Sequence, residues 1–172
     1  EPVIPLRIFE NWSSILLYIE TFMCNFCLFL PAYFLPLFFQ GVMASSAGRT
    51  GVQMIPLTAF MMPSIIFTAV ALPKVGKYNV FHVVGFALLT IGQGIFTMLK
   101  REDSNAEWVF KLFVQPVGTG FLAGSTLPAI QSWTAEADMA AATAGFTYIR
   151  GMAMIFGIAI PSTIFNIYIS KY

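Results

Sequence analysis

The sequence predicts an all-α membrane protein with about five transmembrane helices. Hydrophobic residues make up 58% of the chain and charged residues 10%, against roughly 25% charged in an ordinary soluble domain, and mean hydropathy is +0.77. Apolar runs long enough to cross a bilayer recur along the chain, separated by short segments that hold most of the charge. One of these runs, Trp108 to Gln131, mixes crossing length with glycine, proline, hydroxyls and amides. That is the composition of a helix facing other helices or an aqueous cavity, since lipid-facing positions need only apolar side chains.

Residues 1–11 read as a polar lead-in, with Asn11 or Ser13 placed to cap a helix whose apolar body spans 15–39. Trp12 belongs to an interfacial aromatic belt, Pro31 and Pro36 predict kinks, and Glu20 and Asn25 are polar intruders. Residues 40–50 form a serine-bearing loop with one charge, Arg49. A second crossing, 51–72, contains Pro56 and Pro63 and stops at Pro73; a tight basic turn, Lys74-Val75-Gly76-Lys77, follows. The third, 80–99, carries Gly85, Gly92 and Gly94 and reads as a packing helix. His82, near its start, is expected to be solvated.

Lys100 to Glu107, KREDSNAE, must lie in water, and Trp108 marks re-entry for the fourth crossing, 108–131. Gly120 and Gly124 form a small-xxx-small pair there, the chemistry of close helix approach. Ser132 to Ala142 is a loop or interfacial helix, with Trp133 at the boundary. The fifth crossing, 143–169, carries Arg150, Gly151, Ala153 and Gly157, and no sixth apolar run follows.

Composition excludes several functions. A net charge of +1 leaves no basic footprint, so no nucleic-acid partner is expected; the lipid bilayer is the expected partner. The first apolar run is too long for a signal peptide and lacks a small-residue cleavage site. A chain starting at Glu1 reads as a piece of something longer or a processed product. Cys24 and Cys27 lie in an apolar helix; two thiols cannot complete a structural zinc site, so they read as buried, reduced thiols, and no metal or cofactor is called for. With one histidine, no usefully spaced carboxylate pair and no phosphate-cradling loop, an enzyme is not expected.

Among polar residues Glu20 is the most informative, because a carboxylate at helix-interior depth costs about 2.5–3.5 kcal/mol unless paired, protonated or hydrated. Its bland alternative is a structural pair or a reach to the interface. Arg150 is a potential partner and can also snorkel to phosphates. Gln115, Thr119 and Thr126 share one helix stripe, with Ser125 to one side bonding a backbone carbonyl. Asn25 and Tyr33 offer an amide and an aromatic wall to a drug-like ligand.

Two strings carry a family resemblance. FLPLFFQGVMASSAGRTGVQMIP, residues 34–56, resembles the loop between the first two helices of the C-terminal half of fungal major facilitator transporters, in the fourteen-span drug:proton antiporter branch. GTGFLAGSTLPAIQSW followed by AAATAGFTYIRGMAMIFGIAIPSTIF is similar to a later family pattern through Gly118, Gly120, Pro128, Ala129, Gln131, Ala140, Ala142, Ala144, Arg150, Gly157, Ala159, Ile160, Ile164 and Phe165.

The resemblance implies a secondary active transporter, integral to the plasma membrane, exporting small amphipathic drugs, toxins or secondary metabolites against protons by alternating access. It also implies that the chain is a C-terminal half fragment whose N-terminal half is missing, so that alone it does not transport. Glu20 and the Gln115, Thr119, Thr126 stripe would then sit on helices lining the central cavity, with Arg150 and Gly157 near the cytoplasmic mouth. Lys74 and Lys77 would lie in a cytoplasmic loop, a worn copy of a gating motif whose aspartate and arginines are absent here. Alternatives are uptake of an iron chelate by the same helices, or a truncated remnant without transport activity.

With a cytoplasmic N-terminus, Arg7, Lys74, Lys77 and Arg150 lie inside, while Arg49, Lys100, Arg101, Lys111 and Lys171 lie outside, a distribution that slightly favours the opposite orientation. The resemblance therefore decides. A cysteine placed in the KREDSNAE loop is expected to react with an impermeant maleimide from outside intact cells; labelling only from the cytoplasmic side would invert the topology.

Overall fold

The computed structural model describes residues 11–100 and 103–169, and every regular element among them is helical. The polar lead-in expected at residues 1–10 lies outside that range. The first helix, α1 (Trp12–Gly41), has 30 residues, about 45 Å at 1.5 Å per residue. It starts directly after Asn11, whose carbonyl accepts from the Ile15 N–H at 3.1 Å, and continues through Pro31 and Pro36.

The loop after α1 is shorter than the sequence suggested. Ser46 is extended and its side chain accepts the Arg49 N–H, capping α2 (Ala47–Val75), so the last four residues of the expected loop are the first turn of that helix. Nor does Pro73 stop α2. A proline costs the helix one donor, and the helix absorbs that loss at Pro56, Pro63 and Pro73. The actual terminator is Gly76, at φ 67°, whose N–H reaches the Leu72 carbonyl at 2.9 Å. That left-handed conformation favours glycine.

Helix α3 (Tyr78–Phe96) follows after two residues. Because it begins earlier than expected, His82 falls in its second turn on the face shared with Phe81, Gly85, Leu89 and Gly92, and is buried rather than solvated. Its ring lies 5.3 Å from that of Tyr78.

The polar segment before α4 (Asn105–Lys111) is tied down by its own charges. The Glu107 carboxylate accepts the Ser104 N–H at 2.8 Å. Asp103 accepts from Lys100 N–H at 2.9 Å and Lys111 Nζ at 2.7 Å. The Lys111 bond holds the Asp103 carboxyl below its usual range, and the Ser104 N–H does the same for Glu107.

The expected fourth crossing is not one continuous helix. A turn at Leu112 and Phe113 separates α4 from α5 (Val114–Ser132). Pro116 explains the break: it cannot donate to the Leu112 carbonyl, yet it is tolerated in a first turn, where donors have no helical partner anyway. A short 3₁₀ turn (Glu136–Asp138) then leads into α6 (Met139–Ile169), which starts earlier than the sequence suggested. Four stretches, α1, α2, α3 and Glu136–Ile167, are long and apolar enough to cross a membrane. Helix α5 has 19 residues, but glycines and polar side chains take the place of apolar ones.

The chain forms two compact units, one from residues up to Tyr33 and from Leu127 onward, the other from Phe34 to Thr126. In the second unit α5 is held by glycine. A Cβ on Gly118 would lie 2.6 Å from the Gly85 carbonyl oxygen and from the Leu89 nitrogen of α3. On Gly120 it would lie 2.5 Å from Ser64 Cβ and 2.8 Å from the Met61 oxygen of α2, and on Gly124 it would meet Thr68 at 2.9 Å. Leu35, Phe39, Leu57, Trp108 and Leu112 form the apolar core at one end. Trp108 is therefore packed, 5.9 Å from the Phe39 ring; Trp12 and Trp133 are the exposed tryptophans.

In the first unit α1 and α6 run parallel. Tyr18 Oη donates to the Ala142 carbonyl at 3.1 Å, Phe22 and Phe156 rings lie 6.1 Å apart, and a Cβ on Gly157 would meet the Phe26 oxygen at 3.1 Å.

Because backbone atoms cannot step aside, Gly118→Ala and Gly120→Ala are each expected to destabilise by about 1–3 kcal/mol, the usual cost of overpacking. Gly94→Ala meets nothing within 4 Å and is expected to be neutral or slightly stabilising. Thermal melting of the purified protein in detergent checks the contrast.

Candidate functional site

The sequence-selected residues divide between the two units. In the second, Gln115 and Thr119 are fully buried on α5. Gln115 Nε2 donates to Thr119 Oγ1 at 3.2 Å, and Thr119 Oγ1 donates to the Gln115 carbonyl at 3.0 Å, so these two are brought together as the stripe predicted. Thr126, also buried, bonds elsewhere, to the Leu122 carbonyl at 2.6 Å. Ser125 bonds the Phe121 carbonyl at 2.7 Å, as expected of it. Gly120 and Gly124 are the contact points with α2 already described. Lys74, in the last turn of α2, and Lys77, at the start of α3, are both exposed on the turn between them.

In the first unit Asn25 is buried and its Nδ2 donates to the Thr21 carbonyl at 2.8 Å. Glu20 is half-buried one helical turn before Cys24, and Tyr33 is exposed further along α1. Arg150 is exposed on α6, and Gly157 is buried against α1. Cys24 and Cys27 form no disulfide, and one is buried and the other half-buried.

Two features were not selected from sequence. Gln53 is 4% exposed on α2, and its Oε1 has no hydrogen-bond partner among the described residues. The signal was present: an amide inside an apolar run, three residues from the buried Thr50. The second feature is a groove of about 400 Å³ between α2 and α5, lined by Phe60, Pro63, Ser64, Phe67, Phe113, Val117 and Phe121. Its signal was aromatic spacing on one face of each helix, which composition alone does not distinguish from a lipid-facing stripe.

Long apolar helices, with a buried polar stripe on a glycine-held helix among them, define an integral, multi-pass membrane protein. No family model and no solved structure matches the chain. Among curated proteins it is 39% identical over 166 residues to the "MFS-type efflux pump LUC4" of Fusarium sp., a match covering 96% of the chain and 29% of that protein. It is 38% identical to "Efflux pump FUS6" of Gibberella fujikuroi over 96% of the chain and 30% of the relative. The "MFS efflux transporter aclA" of Aspergillus oryzae matches at 38% over 100% of the chain and 31% of its own length. The chain thus spans about three-tenths of the length of these relatives. It belongs to the major facilitator superfamily.

Thr119→Val is expected to destabilise by about 1–3 kcal/mol, because the buried Gln115 amide loses an acceptor. Adding Gln115→Leu should recover part of that loss. A double-mutant cycle on melting temperature reads the coupling; strict additivity would show that the two side chains do not act as a pair.

Proposed function

We propose that the chain is the C-terminal transmembrane portion of a secondary active transporter that exports small amphipathic compounds in exchange for protons. The observation that carries this reading is the match along 96–100% of the chain to proteins named efflux pumps or efflux transporters. Their greater length supports a missing N-terminal half, and alternating access requires both halves. The membrane of residence in this reading is the plasma membrane.

Within it, Glu20 is the proton-linked carboxylate. It sits half-buried in a helix long and apolar enough to cross the bilayer, where a charge is maintained only by a partner or water. Arg150, on the helix that packs beside α1, is its candidate partner. Asn25 and Tyr33 on α1, and Gln115, Thr119 and Thr126 on α5, are the candidate substrate contacts of their respective units. Lys74 and Lys77 belong to a cytoplasmic gating turn, and Gly120, Gly124 and Gly157 are packing positions that set the helix spacing.

In cells expressing the full-length transporter and loaded with rhodamine 6G, export by the wild type is expected to rise as the external medium is acidified, because an inward proton gradient drives antiport. Glu20→Gln keeps the shape and removes the titrating proton. At equal protein level in the membrane, it should abolish that pH dependence. Unchanged, pH-dependent export would remove Glu20 from coupling.

A further inference from the structure

Helix α4 is a separate segment at one end of the second unit. Its link to α5 is broken at Leu112 and Phe113, where Pro116 leaves the Leu112 carbonyl without its helical donor. Beyond the break, Phe113 is set edge to face against Phe60 of α2, with ring centroids 4.7 Å apart. The part able to turn as one piece therefore ends at Leu112.

Two sets of contacts hold α4 in place. On its inner face Trp108 and Leu112 complete the apolar core with Leu35 and Phe39 of α1 and Leu57 of α2. At its C-terminal end Lys111 Nζ donates to the Met98 carbonyl, just past α3, at 2.9 Å and to Asp103 Oδ2 at 2.7 Å. Phe110, on the opposite face, is exposed.

The docked arrangement carries two local costs in the same unit. Ala44, in the turn between α1 and α2, has φ 52°, a left-handed conformation that an L side chain disfavours. It is fixed on both sides: the Ser45 N–H reaches the Phe39 carbonyl at 2.9 Å, and Met43 packs against the core that α4 completes. Gln53 is 4% exposed, one turn before Leu57 on the buried face of α2, and its Oε1 has no hydrogen-bond partner among the described residues. An acceptor so placed has lost its water without a replacement. Opening the core relieves both costs, since the turn can relax and the amide oxygen can be hydrated.

We propose that α4 is a latched lid. It turns about Leu112 and Phe113 between a docked state, held by Lys111 and the Trp108 core, and an undocked state in which Ala44 relaxes and water reaches Gln53. The opposing effects are of similar size: a water-facing ion pair contributes little, while a left-handed alanine and an unmet acceptor each cost about as much as one hydrogen bond. Such a balance makes an element with two accessible states. The lid belongs to the second unit and does not depend on what the protein exports.

Hydrogen–deuterium exchange of the full-length protein in lipid nanodiscs, read by mass spectrometry, tests the lid. Lys111→Met keeps the side-chain stem and removes the latch; exchange of segment 105–113 is expected to rise about fivefold, and segment 42–53 should rise with it. Ala44→Gly removes the strain and Gln53→Met removes the acceptor. Each should slow exchange of segment 105–113 about fivefold, although neither substitution lies in that segment. Segments 82–92 and 116–124, where glycines hold α3 to α5, should keep their rates in all three variants.

A rise confined to segment 105–113 in Lys111→Met overturns the proposal, because the network is then only a local cap. Unchanged or faster exchange of that segment in Ala44→Gly or in Gln53→Met also overturns it. So does an equal change across all segments, the mark of a general shift in stability. If Lys111→Met does not fold, the other two variants still decide, since both are expected to tighten the lid.

Discussion

Backbone contact at the glycines of α5 is the constraint on which the second unit depends. Helices in a membrane gain little from the hydrophobic effect when they associate, so close packing must supply the attraction. Gly118 and Gly120 are two residues apart, about 200° around a helix, and Gly124 returns to the face of Gly120. One helix can thereby lie close to α3 on one side and α2 on the other. The same contacts exist from the partner's side: a Cβ on Gly92 of α3 would fall 2.5 Å from the backbone of Gln115. A helix carrying Gln115, Thr119, Ser125 and Thr126 is poorly suited to lipid, and it is the one that the glycines enclose.

Enclosure raises the question of where the buried hydroxyls put their hydrogen bonds, since an unmet donor in an apolar medium is costly. They turn back on their own helices. Thr21 bonds the Leu17 carbonyl, Ser64 that of Phe60, Thr68 that of Ser64, and Thr126 that of Leu122, all at 2.6–2.8 Å. A hydroxyl so placed is compatible with packing alone. Amides have more capacity than one local bond can use, and the described residues show this at Gln53, whose Oε1 is buried without a partner. The amides and the carboxylate therefore keep more hydrogen-bonding capacity for a ligand than the hydroxyls, which have only acceptor lone pairs left to offer.

The helical class, the order of the helices and the small-xxx-small pair at Gly120 and Gly124 were legible because each depends on local composition. Helix ends were less so. Sequence reading treated Pro73 as a stop and Trp108 to Gln131 as unbroken, whereas the ends follow from caps and orphan donors: the glycine at position 76, the serine at 46, and the missing N–H of Pro116. The Gln115 and Thr119 stripe was readable from spacing. The burial of His82 and Trp108 was not, because a residue near a presumed boundary changes environment when a helix starts two residues earlier or packs against a neighbour. The phenylalanine groove was hidden for a related reason: in a chain with 16% aromatic residues, only pairing across two helices singles out four of them.

These local bonds bear on what a transporter built from such helices can recognise. When a side chain's donor is already satisfied on its own helix, a ligand that takes it over exchanges one bond for another and gains little net energy. Sites assembled from such groups discriminate weakly by hydrogen bonding, leaving apolar area and shape to carry affinity, which suits a cargo class defined by amphipathic character. Glu20 obeys a different rule, because its ionised form in a crossing helix always requires an opposite charge, a proton or water.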